Sequence, residues 1–114
     1  MLGLISEGAE AHVPHLWPLE VTNALVKALR RKQITREELF DYARQLASLR
    51  VQVDIDRSAE RAFNQVLLLA ECYQLTTYDA AYLELAQRKG LPLASADMSL
   101  VQAAGATKVE VLKP

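Results

Sequence analysis

The chain has 114 residues, 51% of them hydrophobic, and a formal net charge of −1. That length accommodates one domain, 1–114, with a core of its own, and the charge excludes a protein that grips duplex nucleic acid through bulk basicity. No apolar run approaches the roughly 18 residues of a membrane span, "MLGLISEGAEAH" lacks the pattern of a signal peptide, and a single cysteine, Cys72, fits a reducing cytoplasm and a packing role in a helix.

In chain order, "MLGLISEGAEA" reads as the closing turns of a helix ended by Gly8, with Leu2, Leu4 and Ile5 as its apolar positions. "HVPHL" reads as a short strand leading to Pro18, which suits the first turn of a helix. At 100° per residue that helix puts Val21, Leu25, Ala28 and Leu29 on one apolar face and Glu20, Asn23, Lys27 and Arg31 on a polar stripe. "ITREELFDYARQLASL" is the next helix, opened by a capping box of Thr35 and Glu38. "VQVDI" alternates as a strand, and "SAERAFNQVLLLAECYQL" is a helix with an apolar run from Val66 to Ala70. "YDAAYLELAQRKG" is a helix closed by Gly90, "LPLASAD" a strand, "MSLVQAAG" a short helix and "KVEVL" a final strand. Such alternation predicts an α/β fold with a mainly parallel sheet flanked by helices. Sheets of this kind bind ligands beyond the carboxyl ends of their strands.

Two aspartates bracket the most informative stretch, "LTTYDAAYLELAQRKGLPLASAD". Asp79 forms a capping pattern with Thr76, yet it shares a helix face with Tyr82, Leu83 and Ala86, while Glu84, Gln87 and Arg88 mark the solvent side. An inward carboxylate needs backbone amides or a cation as partner. Asp97 stands at a strand's end and also fits as the cap of the helix from Met98. Glu20 reads as a solvent-facing glutamate near a helix start, and Lys27, Arg30, Arg31, Lys32 and Arg36 form the one dense basic patch. His12 and His15 lack zinc spacing, and no GxGxxG, P-loop or GxSxG is present.

Taken together, "HLWPLEVTNALVKALRRKQIT" and "LTTYDAAYLELAQRKGLPLASAD" resemble the two signatures of PIN-domain nucleases, in their VapC-like toxin branch. In the first, a glutamate precedes an asparagine by three, as Glu20 precedes Asn23. In the second, an aspartate opens a helix and the next strand ends as Ser95-Ala96-Asp97 does. The resemblance implies a Rossmann-like (PIN-like) sheet with an acidic pocket that binds Mg²⁺ or Mn²⁺ and cleaves RNA. It assigns Glu20, Asp79 and Asp97 as metal-binding catalytic acids, with Asn23 and Ser95 supporting them. Mg²⁺ favours such carboxylates, leaving room for water and substrate phosphate, and can activate water for in-line attack. The basic patch Lys27, Arg30, Arg31 and Lys32 would then contact RNA or an acidic antitoxin segment.

The chain departs from the family at its start. Members begin with a hydrophobic strand ending in aspartate, and nothing like "VDAS" precedes residue 11 here. The sequence enters midway through the family's first helix, so the first, central strand and a fourth acid are expected to be missing. That loss would open the edges of "HVPHL" and "LPLASA", which predicts self-association as a homodimer or higher oligomer, and it would impair catalysis. Two readings follow: a metal-dependent ribonuclease of toxin type, and a non-catalytic, degenerate PIN domain acting as a protein-binding or self-association module.

Overall fold

A computed structural model describes residues 3–5, 11–56 and 59–112, the first three by their backbone alone. The chain is mixed α/β and divides into two compact units, one of Met1–His15 with Val51–Pro114 and one of Leu16–Arg50.

The second unit is a helical pair, α1 (Trp17–Arg30) and α2 (Arg36–Ala47). Pro18 occupies the first turn of α1, where a missing N–H costs nothing. The predicted faces are present: Val21, Leu25, Ala28 and Leu29 are half-buried, and Glu20, Asn23, Lys27 and Arg31 are exposed. Two helices cannot enclose a side chain, and no residue of either is fully buried. The turn between them is closed from both sides. The Lys32 and Gln33 N–H groups donate to the Leu29 and Ala28 carbonyls at 3.0 and 2.9 Å, the bond pair of a Schellman end, with Lys32 left-handed at φ 58°. On the other side the capping box is complete: Thr35 Oγ1 accepts from the Glu38 N–H at 3.1 Å, and Glu38 Oε1 accepts from the Thr35 N–H at 2.9 Å.

The first unit holds the sheet, in strand order β3-β2-β1-β4-β5. Its strands are β1 (Gly3–Ile5), β2 (Ala11–Val13), β3 (Val51–Val53), β4 (Leu93–Ala94) and β5 (Val111–Leu112). β2–β3 and β4–β5 are the parallel pairs. β1 lies between them and runs antiparallel to both neighbours, with Leu4 opposite His12 on one side and Leu93 on the other. Two expectations change here. Gly3–Ile5 is a strand rather than a helix end, and the sheet is mixed rather than mainly parallel; Leu2 and Gly8 lie outside the described residues. The physical reason is shared. Between two short parallel pairs the backbone groups of β2 and β4 need partners, and this segment's alternating backbone supplies them. The edges of β2 and β4 that were expected to be open are paired, which removes the ground for expecting self-association.

Helices cover the sheet. α3 (Ala59–Arg61) runs through a π-helical turn, Ala62–Val66, into α4 (Leu67–Tyr73). The apolar run there is only partly inside: Ala70 is buried, Leu67 and Leu68 are exposed, and so is Cys72, contrary to its expected packing role. α5 (Thr77–Lys89) is the central helix, touching α4, the π turn, β1, β4 and α6 (Met98–Ala106). Gly90 closes it at φ 64°, as its position in the sequence implies. Tyr82, Leu83, Leu85 and Ala86 of α5 form the core with Val13, Leu93 and Leu100. Among the described residues no helix is long and apolar enough to cross a membrane.

Candidate functional site

Asp79 lies in the first turn of α5, half-buried, and its N–H donates to Thr76 Oγ1 at 3.1 Å. Its neighbours on the wheel, Tyr82, Leu83 and Ala86, are all buried, and so is Glu84 of the expected solvent side. Asp97 is the cap of α6: Oδ1 accepts from the Leu100 N–H at 3.0 Å. Ser95 is buried, and its Oγ accepts from the Asp97 N–H at 3.0 Å. A buried hydroxyl thus fixes the backbone from which an exposed carboxylate rises.

The two aspartates flank one helix–strand unit, α5 and β4. The connection 90–92 turns the chain back along α5 into β4. From Asp79 to Lys89 the helix rises about 15 Å, and from Leu93 to Asp97 an extended chain returns about 13 Å. Asp97 follows the carboxyl end of β4 by three residues, where sheets of parallel pairs place their ligands.

Glu20 and Asn23 belong to the helical unit, exposed on α1, with Glu20 in its first turn. Lys27 and Arg30 lie in the last turn of α1, and Arg31 and Lys32 in the turn that follows; all four are exposed. Carboxylate oxygens are the right donors for Mg²⁺ or Mn²⁺, but among the described residues no three His, Cys, Asp or Glu side chains are grouped to hold a metal ion.

A second polar cluster escaped the reading of the sequence. Glu84, expected on the solvent side, is 5% exposed, and Arg88 is half-buried. Arg88 Nε donates to Glu84 Oε1 at 2.8 Å, and its Nη2 donates to Asp54 Oδ2 at 2.5 Å. Arg61 donates through Nη1 to Glu84 Oε1 at 3.2 Å and through Nε to Asp56 Oδ2 at 2.8 Å. Three carboxylates and two guanidiniums thereby tie the end of β3 to α3 and α5. Burial alone would raise the Asp54 carboxyl. Bonds from Arg88 and from the Asp56 N–H, with the charges of Arg88 and Lys89, outweigh it and hold the group below the usual carboxylate range. The bonds to Asp54 and Glu84 in turn raise the Arg88 guanidinium above its already high value. Two signals in the sequence pointed here: acids directly after the strand "VQV", the same placement as Asp97, and the i,i+4 spacing of Glu84 and Arg88. The wheel misplaced Glu84 because α5 is covered on nearly every side, and a single apolar face cannot describe such a helix.

Compared with known proteins, the chain matches no family model and no curated protein.

Proposed function

We propose that this chain is a PIN-like domain whose acidic edge serves metal-dependent cleavage of RNA phosphodiester bonds, in the manner of a VapC-like toxin in the cytoplasm. The observation that carries the reading is the placement of Asp79 in the first turn of α5 and of Asp97 just past the carboxyl end of β4, with Ser95 holding the backbone of Asp97. Glu20 is the third acid of this proposal, with Asn23 beside it on α1. Its role rests on the resemblance of "HLWPLEVTNALVKALRRKQIT" to the family's first signature. RNA and a cognate antitoxin are the partners that this reading implies, and Mg²⁺ or Mn²⁺ its cofactor.

A specific observation favours the second reading, a non-catalytic domain that binds protein. The central strand described here is Gly3-Leu4-Ile5, which brings no carboxylate, and Asp97 already serves as a helix cap. Cleavage of single-stranded RNA with Mn²⁺ and with a chelator separates the two. The first reading expects Mn²⁺-dependent cleavage that Asp79→Asn abolishes while far-ultraviolet circular dichroism and Tm stay as in the parent. Cleavage unchanged by Asp79→Asn removes that residue from the site. Absence of Mn²⁺-dependent cleavage, together with no paramagnetic broadening at Asp79 or Asp97 at millimolar Mn²⁺, overturns the first reading and favours the second.

A further inference from the structure

The α1–α2 turn carries five exposed cations, Lys27, Arg30, Arg31, Lys32 and Arg36, in a chain of net charge −1. None of them makes an ion pair among the described residues. The acids nearest in sequence are Glu37 and Glu38, and the Glu38 carboxylate is occupied by the capping box. Arg36 instead sits over the ring of Phe40, 5.0 Å from its centroid, and that ring is 47% exposed. A guanidinium stacked on an open aromatic face is a surface that a nucleobase can extend, because every base has a π-face and a planar cation adds to the stack. An acidic peptide would use the charges and leave the ring unused.

The backbone supports the same reading. The turn is locked by its Schellman bonds and by the Thr35–Glu38 box. Lys32 holds the left-handed position that glycine adopts without strain. A charge is therefore displayed at a place where the backbone would prefer no side chain.

We propose that this turn is a platform for single-stranded nucleic acid, with Arg36 and Phe40 stacking a base and the neighbouring cations Lys27, Arg30, Arg31 and Lys32 holding its phosphates. The proposal deepens the ribonuclease reading by naming where the strand is held. It is tested without cleavage, so that the two fail separately. The experiment measures fluorescence anisotropy of a labelled single-stranded RNA of about 12 nucleotides, in chelator, across a salt series. The parent chain is expected to bind with an affinity that falls steeply with salt. Phe40→Ala should weaken binding about tenfold with the salt slope kept, as the loss of one stacked base predicts. The pair Lys27→Glu with Arg31→Glu should weaken binding and flatten the slope. Lys32→Gly should raise Tm while weakening binding, a divergence that a purely structural role does not produce. An RNA duplex of the same sequence should bind about tenfold more weakly, since its bases are not free to stack on the ring. The proposal is overturned by no binding, by a Phe40→Ala variant that binds as the parent does, or by equal affinity for duplex. It is also overturned if a polyglutamate peptide displaces the RNA at equal charge concentration, which would assign the turn to an acidic protein partner.

Discussion

Replacing Arg88 by methionine tests whether the charge network holds the sheet unit together. The change keeps the length and apolar stem of the side chain but removes the cation from two carboxylates, Asp54 and Glu84, whose side chains are 8% and 6% exposed. Stranding a buried charge by removing its partner costs about 3–5 kcal/mol. Glu84 keeps Arg61 at 3.2 Å and Asp54 keeps the Asp56 N–H at 3.3 Å, which places the expected loss at the lower end, about 3 kcal/mol. Urea denaturation followed by far-ultraviolet circular dichroism should therefore show the midpoint falling by roughly 1–3 M. The loss should also depend on pH in a stated direction. Asp54 is held below its unfolded value in the parent, so its contribution is present above a pH of about 4 and is lost as pH falls through the folded value. In the variant the bonds and charge of Arg88 are gone and burial remains, so the folded carboxyl takes up its proton more readily than the unfolded one. The gap between parent and variant should be widest near neutral pH and should narrow as the pH drops toward about 3. A loss under about 1 kcal/mol, or one independent of pH, would refute the reasoning and place the network among solvent-screened surface pairs.

Asp97→Ala should cost about 1 kcal/mol through loss of the bond from Leu100 N–H, whereas Asp97→Asn should keep the cap and the stability. In a cleavage assay the asparagine variant thereby isolates the carboxylate's chemistry from its capping, and cleavage equal to the parent's would leave Asp97 as a cap alone. Gly90→Ala meets open space, with nothing within 4 Å of the added Cβ, so its cost comes from the left-handed backbone alone. A thermal melt should show a loss of about 1–2 kcal/mol, and an unchanged melt would mean that the end of α5 relaxes to another conformation.

Local chemistry settles much of this protein without any tertiary contact. The Thr35–Glu38 box, the cap of Asp97 on α6, the stop at Gly90 and the two faces of α1 follow from hydrogen bonds and periodicities spanning only a few residues. Such features depend on neighbours in sequence, so the sequence suffices to place them. Asp79 and Asp97 were legible as candidates for the same reason.

Tertiary structure decided what depends on partners far along the chain. "GLI" becomes a strand because β2 and β4 present unpaired backbone on either side of it, which no local pattern in "MLGLISEGAEA" records. Glu84 goes inside because α5 is surrounded and because Arg61, 23 positions away, and Arg88 meet it there. A carboxylate's burial is set by the cations that the fold delivers to it, and that delivery is a property of the assembled sheet and helices rather than of any stretch of sequence.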